Sequence, residues 1–288
     1  MTERSSTLQG FGAVLLWAAL AALTTYAGPV PPFQLTALTF AIGALVGVGY
    51  AAVTRQSLRG LKTVPKAAWA LGVYGLLAFH ACYFFALQHA PALEASLIIY
   101  LWPLLIVLFS GLLPGRLGGK RLTLWHVAGA MLGLAGTVLV LFGKSAHLSV
   151  PGQAVGYAAA LAAALIWASY SVGSRLFQGV PSLAVIGSCA LSAVGAAALH
   201  LAFEVTVWPA GPLAWAAVVT LGLGPVGLAF YLWDAGMKHG NVQLLGTLAY
   251  ATPLLSTLLM TGLGLSATSS TVWLAAALIT AGAALATR

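Results

Sequence analysis

The side chains able to do chemistry in this chain are few, and most of them are aromatic. His80 is followed by Tyr83 and Leu87 at helical spacing, which puts the three on one face. An ionisable ring inside an apolar run is a functional candidate, here for the polar end of a substrate; the plainer reading is a neutral imidazole bonded to a neighbouring helix. Tyr100 and Trp102 precede Pro103, and Tyr250 precedes Pro253. Each proline removes a backbone N–H, so the carbonyls of Ile99 and Ala249 lose their helical partners. A packing kink is the simple account; a gating hinge that bares polar backbone to a cavity is the functional one. Trp17, Trp167, Tyr170 and Trp233 complete the aromatic set; Trp17, Tyr83, Tyr100 and Trp167 lie deeper, and a deep hydroxyl needs either a partner or a wet cavity.

Other chemistries find no support. No GxSxG, HExxH, Walker loop or paired-acid set is present, so no catalytic residues are assigned and the chain is not read as an enzyme. Cys82 and Cys189 lie inside apolar runs without zinc spacing, and neither a metal nor a cofactor is expected. The carboxylates number four. Glu3 is in the tail, Glu94 opens a helix, Glu204 is in a loop, and Asp234 sits four residues before Lys238 as an i,i+4 pair. None is placed at mid-membrane, so a dedicated ion-coupling carboxylate is not expected.

The elements that must position these residues are membrane helices. Only 6% of the 288 residues are charged and 61% are hydrophobic, against about 25% charged in soluble domains. Apolar runs cover 9–27, 33–54, 67–88, 91–113, 122–142, 152–177, 181–203, 212–236, 241–264 and 270–287. Each approaches or exceeds the ~20 residues that span a bilayer as a helix, and none alternates as a membrane strand would. The breaks carry turn chemistry, as in Gly28-Pro29-Val30-Pro31-Pro32, Pro114-Gly115, Gly179-Val180-Pro181 and Gly240-Asn241. Ten spans put both termini on one side, together with 11 of the 12 Lys and Arg residues; Lys144 alone is opposite. Basic loops stay cytoplasmic, so both termini are predicted inside, and the net charge of +8 serves the lipid surface rather than nucleic acid.

A repeat runs through the chain at an offset of 150: Trp17 with Trp167, His89 with His239, Tyr100 with Tyr250, and Pro103-Leu104-Leu105 with Pro253-Leu254-Leu255. Each copy has five spans, an odd number, so the second enters the membrane inverted, as in secondary transporters whose substrate path lies between the halves. The first run therefore reads as a span paired with the sixth and not as a cleaved leader. The halves are unequal: His80 corresponds to Phe230 and Glu94 to Leu244. Polar specificity is expected mainly from the first half.

Ala86-Leu87-Gln88-His89-Ala90-Pro91, leading to Tyr100-Leu101-Trp102-Pro103-Leu104-Leu105, resembles the third-to-fourth-span signature of EamA-type carriers of the drug/metabolite transporter superfamily. Gly119-Lys120-Arg121-Leu122-Thr123 is similar to that family's next motif, with Lys120 where the family has an acid; Leu265-Ser266-Ala267-Thr268 stands at the corresponding place in the second half. Lys238-His239-Gly240-Asn241 and Tyr250-Ala251-Thr252-Pro253-Leu254 repeat the first signature. Within the family the pattern looks most like the bacterial exporters of aromatic amino acids. That resemblance implies ten helices around a central cavity, the bacterial inner (plasma) membrane, and outward movement of substrate.

The expectation is an all-α integral membrane protein of ten transmembrane helices, built as inverted five-helix repeats over 1–150 and 151–288. It would export aromatic and other bulky neutral amino acids by alternating access. Trp17, His80, Tyr83, Tyr100, Trp102, Trp167, Tyr170, Trp233 and Tyr250 would bind substrate, and Pro103 and Pro253 would act as hinges. The expected partners are a small neutral solute and the bilayer, with the protein acting as a monomer. A carrier of another metabolite or of drugs is the nearest rival; a receptor or structural subunit is a more distant one.

Overall fold

The computed structural model describes residues 2–113, 115, 122–142, 153–265 and 270–286. Among these residues there is no strand, as expected where no water is present to serve an open sheet edge. Seven helices are long and apolar enough to cross a membrane: α1 (Glu3–Ala27), α2 (Pro32–Val53), α3 (Lys66–His89), α6 (Gln153–Phe177), α7 (Ser182–Phe203), α8 (Gly211–His239) and α9 (Val242–Gly262). Three further apolar helices are α4 (Glu94–Ser110), α5 (Leu124–Phe142) and α10 (Ser270–Leu285). Arg116, Lys120, Arg121, Lys144 and Arg288, the turn residue Pro114, the stretch Ser266–Thr268 and the boundary at 150/151 lie outside the described residues.

Helix ends follow local chemistry. Thr2 Oγ1 accepts from Ser5 N–H at 3.2 Å, so α1 starts at Glu3, six residues before the apolar run itself. Gly28, at φ 78°, ends that helix. Pro32 fits the first turn of α2, where its missing N–H costs nothing. Asn241 Oδ1 caps α9 by accepting from Leu244 N–H at 3.0 Å.

Several helices are not straight. The regular turn breaks at Ala18–Ala19 in α1, at Tyr100–Leu101 in α4 and at Ala249–Tyr250 in α9. Pro103 and Pro253 follow the latter two breaks closely, where a carbonyl one turn back loses its donor. Two π-type turns, Tyr74–Ala78 in α3 and Gly224–Leu228 in α8, lie 150 residues apart. Pro225 accounts for the second. Its counterpart is Gly75, which carries no comparable sequence signal.

Helices pair as α1 with α8, α2 with α7, α3 with α6 and α5 with α10; α4 meets α6 and α9, and α9 also meets α1. Lipid tails are as apolar as leucine, so association depends on close packing and on small residues that let backbones approach. At the α1–α8 contact a Cβ on Gly236 would lie 2.6 Å from Gly10 Cα. At the α2–α8 contact a Cβ on Gly43 would lie 3.1 Å from Gly227 Cα, beside the π-type turn. Neither backbone atom can rotate away. Gly236→Val is therefore expected to lower stability in detergent by about 1–3 kcal/mol, the usual penalty of overpacking. Gly49→Ala, at a glycine with open space around it, should leave the thermal unfolding midpoint unchanged.

Candidate functional site

A cavity of about 480 Å³ opens among α1, α3, α4, α6, α8 and α9. α1 contributes Trp17, Leu20, Ala21 and Thr24; α3 contributes Phe79, His80, Tyr83, Phe84 and Leu87. α4 supplies Ser96, Ile99, Tyr100 and Trp102, and α9 supplies Thr252 and Ser256. Pro225, Val226 and Phe230 of α8 and Trp167 of α6 complete the wall. The lining from α1, α3 and α9 comes from the later half of each helix, and that from α4 from its earlier half. The cavity thus occupies the end of the molecule that carries the connections at 28–31 and 90–91. Ala21 and Thr24 are exposed there.

Three indoles, Trp17, Trp102 and Trp167, form its floor, with a fourth, Trp233, packed beneath them. Trp17 lies 5.0 Å from Trp233, 5.6 Å from Trp167 and 6.4 Å from Trp102, mostly edge to face or tilted. Trp102 and Trp167 lie 6.2 Å apart, and Phe230 sits 5.9 Å from Trp167. Such pairs contribute about 0.5–1.5 kcal/mol each beyond area burial, so the floor is both rigid and apolar. Trp17 Nε1 donates to the Pro225 carbonyl at 3.0 Å, and Trp233 Nε1 donates to Ser171 Oγ at 3.0 Å. The indole N–H groups of Trp102 and Trp167 make no such bond among the described residues, and both rings line the cavity.

His80 Nδ1 lies 2.7 Å from the Leu76 carbonyl. A carbonyl can only accept, so Nδ1 carries the proton and, in the neutral ring, Nε2 is left as an acceptor. Leu76 belongs to the π-type turn of α3. The ring is held by Phe40 at 5.1 Å and Phe79 at 5.2 Å. The hydroxyls of Tyr83 and Tyr100 have no protein partner among the described residues, and with Thr24, Ser96 and Ser256 they give the wall scattered polar points; the Thr252 hydroxyl is buried. None of the described lining residues is Asp, Glu, Lys or Arg. No group of three or more His, Cys, Asp or Glu comes together among the described residues to hold a metal.

Six of the nine sequence-derived substrate residues line the cavity: Trp17, His80, Tyr83, Tyr100, Trp102 and Trp167. Three do not. Trp233 is fully buried beneath Trp17, its N–H committed to Ser171. Tyr170 packs behind Trp167 at 5.4 Å, over Gly75. Tyr250 is fully buried, and its hydroxyl accepts the Leu104 N–H at 3.1 Å beside the break in α4. Pro103 is likewise buried, next to that bond. Sequence reading missed Thr24, Phe79, Phe84, Ser96, Thr252 and Ser256; Phe230 carried a signal as the 150-offset partner of His80, and Leu87 as a neighbour of His80 and Tyr83 on one helix face. Thr24→Cys and Ser256→Cys are expected to react rapidly with a maleimide on purified protein, and Ser171→Cys, fully buried under Trp233, not detectably over the same period.

The opposite end is closed by polar contacts. Lys238 Nζ lies 2.8 Å from Asp234 Oδ2, the spaced pair seen in the sequence, yet both side chains are buried. Ser182 Oγ donates to Asp234 at 2.6 Å and Lys238 donates to the Val180 carbonyl at 2.9 Å. Arg175 is also buried and caps the end of α8 by donating to the Met237 and Gly240 carbonyls. Asn241 N–H donates to Thr7 Oγ1 at 2.9 Å. At the cavity end Glu204 is no free loop acid: it accepts the Phe33 and Gln34 N–H groups at the start of α2 and pairs with His200 at 2.9 Å. Glu94 accepts from Tyr157 Oη.

Comparison with known proteins gives a consistent answer. The EamA-like transporter family matches twice, over residues 4–142 and 154–288. The chain is 51% identical to the aromatic amino acid exporter YddG of Ancylobacter novellus, over all of this chain and 98% of that protein. It is 26% identical to the YddG of Salmonella typhimurium and 25% identical to that of Escherichia coli, each over 99% of this chain and 97% of the relative. A crystal structure 51% identical in sequence superposes with a TM-score of 0.93, covering 99% of this chain and 98% of the other. Its helices, its twofold match and its likeness to these exporters make the chain a transporter, not an enzyme, and a member of the EamA-like transporter family.

Proposed function

We propose that this transporter exports aromatic and other bulky neutral amino acids by alternating access. The observation that carries the reading is the cavity itself: aromatic, without formal charge among its described lining residues, and of a size that suits a small solute. An aromatic side chain would lie against Trp17, Trp102 and Trp167. The indole N–H groups of Trp102 and Trp167, with the Tyr83 and Tyr100 hydroxyls, would donate to the α-carboxylate, and His80 Nε2 would accept from the α-ammonium. A zwitterion needs donors and acceptors but no net countercharge. A dianion would be left unpaired here, and an organic cation would find no carboxylate. Relatives named as aromatic amino acid exporters support the same substrate class. Among the described lining residues there is no carboxylate to couple transport to an ion.

The architecture proposed is ten membrane helices in two inverted halves acting as a monomer, with Pro103 and Pro253 at the hinges. Three observations support the halves. The family model matches once in each. Both π-type turns fall 150 residues apart. The helix pairing also maps onto itself when α1–α5 are exchanged with α6–α10: α1–α8 becomes α6–α3, α4–α6 becomes α9–α1, and α2–α7, α4–α9 and α5–α10 are unchanged. Arg4, Arg55, Arg59, Lys62, Lys66, Arg175 and Lys238 fall at helix ends remote from the cavity mouth. On the positive-inside rule the closed end faces the cytoplasm and the cavity faces outward.

Counterflow into proteoliposomes tests this. Phenylalanine and tryptophan should exchange, and lysine and glutamate should not. Tyr100→Ala should slow exchange at least about tenfold, the effect of losing ~1.4 kcal/mol of interaction. Absence of exchange for every amino acid offered would rule out the proposed substrate class.

A further inference from the structure

Near the start of α6, Tyr157 Oη donates to Glu94 at the start of α4 and fills the crevice between the two helices. At an offset of 150 these residues become Thr7 of α1 and Leu244 of α9. Thr7 is too short to reach across. Its hydroxyl donates to the Glu3 carbonyl at 2.8 Å and accepts the Asn241 N–H at 2.9 Å. A second cavity of about 380 Å³ stands open there, at the closed end and apart from the aromatic one. Its walls are polar at one end and apolar at the other. Arg4, Leu8 and Phe11 share one face of α1; Asn241, Leu244 and Leu248 share one face of α9. Glu3 stands beside Arg4 at the helix start, and both are exposed. Leu8 is 62% exposed, so the crevice opens on the outer surface of the helices. From Arg4 to Phe11 it runs about 10 Å at the helical rise per residue.

We infer that this crevice is a binding site for a phospholipid with an ethanolamine headgroup. One acyl chain lies along Leu8, Phe11, Leu244 and Leu248. The phosphate accepts from the Arg4 guanidinium and from Asn241 Nδ2, and the ammonium donates to the Glu3 carboxylate. Asn241 is held for this role, because its Oδ1 is committed to the Leu244 N–H at 3.0 Å and Nδ2 is left as the donor. Acyl chains are abundant in the bilayer, so the polar end does the selecting. It presents both signs of charge, which matches a zwitterionic headgroup. A choline headgroup has no N–H to donate to Glu3, and a glycerol headgroup brings no cation. The lipid then occupies the place that Tyr157 and Glu94 fill in the other half, and ties the start of α1 to that of α9. The assignment to the cytoplasmic leaflet rests on the orientation proposed above; the site itself rests neither on that orientation nor on the identity of the substrate.

The test is a lipid titration of the purified, delipidated full chain in detergent, with bound lipid counted by native mass spectrometry. The probes are phosphatidylethanolamine, phosphatidylcholine and phosphatidylglycerol with identical acyl chains. One phosphatidylethanolamine per chain should bind about tenfold more tightly than either of the others, as one charge-assisted hydrogen bond demands. Glu3→Gln should remove that preference. Arg4→Ala should weaken all three lipids by a similar factor, and Leu248→Trp, which fills the apolar end, should prevent the specific binding. Arg59→Ala, at an exposed basic residue of the connection between α2 and α3, should change nothing and so separates the site from general attraction to a basic surface. Equal binding of the three lipids would overturn the headgroup assignment. Unchanged binding by both Arg4→Ala and Leu248→Trp would overturn the site. Because the readout is lipid mass, a failure of every amino acid to exchange would remove the proposed substrate class and leave this result standing.

Discussion

A backbone N–H or C=O without a partner costs several kcal/mol in hydrocarbon, and that constraint organises the centre of this protein. A straight helix satisfies its backbone but offers a substrate nothing except side chains. Here the helices around the cavity are broken or over-wound, and side chains from neighbouring turns or helices take up the freed groups. Trp17 donates to Pro225 in the π-type turn of α8. His80 donates to Leu76 in that of α3. Tyr250 accepts from Leu104 beside the break in α4. Tyr231 donates to Gly43, where α2 meets α8. The polar handles of these aromatic rings serve the backbone, and their apolar bodies build the wall.

That division explains why similar residues have different roles. Tyr100 and Tyr250 follow the same pattern in sequence, yet one hydroxyl opens to the cavity and the other is used by the backbone of a partner helix. Trp167 and Trp233 both belong to the indole cluster, but only Trp167 reaches the cavity surface, because Trp233 is anchored beneath it by Ser171. A repeat in sequence need not give equal environments while one end of the molecule is closed and the other open.

The ionic groups serve the ends. Arg175, Asp234 and Lys238 tie α8 to the α6–α7 connection at the closed end, and their 150-offset counterparts Thr25, Phe84 and Gln88 carry no charge. Glu204 joins α7 to the start of α2 at the other end, where its charge also complements the positive helix N-terminus. Keeping charge out of the centre leaves a cavity whose described lining offers hydrogen-bonding groups and ring faces without a formal countercharge.

Much was legible in the chain alone. Apolar runs of spanning length, turn residues between them and the sparse charge determined a membrane helix class, because lipid permits few alternatives. The register of 150 singled out Trp17 with Trp167, and Tyr100 with Tyr250, because tryptophan, tyrosine and proline in mid-span are too uncommon to align often by chance. The family signatures around Pro103 and Pro253 were equally readable. Tertiary structure decided which ring faces the cavity, that Ser96, Thr252 and Ser256 join it, that Asp234 and Arg175 are buried, and that α3 carries a π-type turn without a proline. The physical reason is that periodicity places a residue on a face of its own helix. What that face meets depends on how far two rods approach and at which end they part, and that is settled by packing between segments distant in sequence.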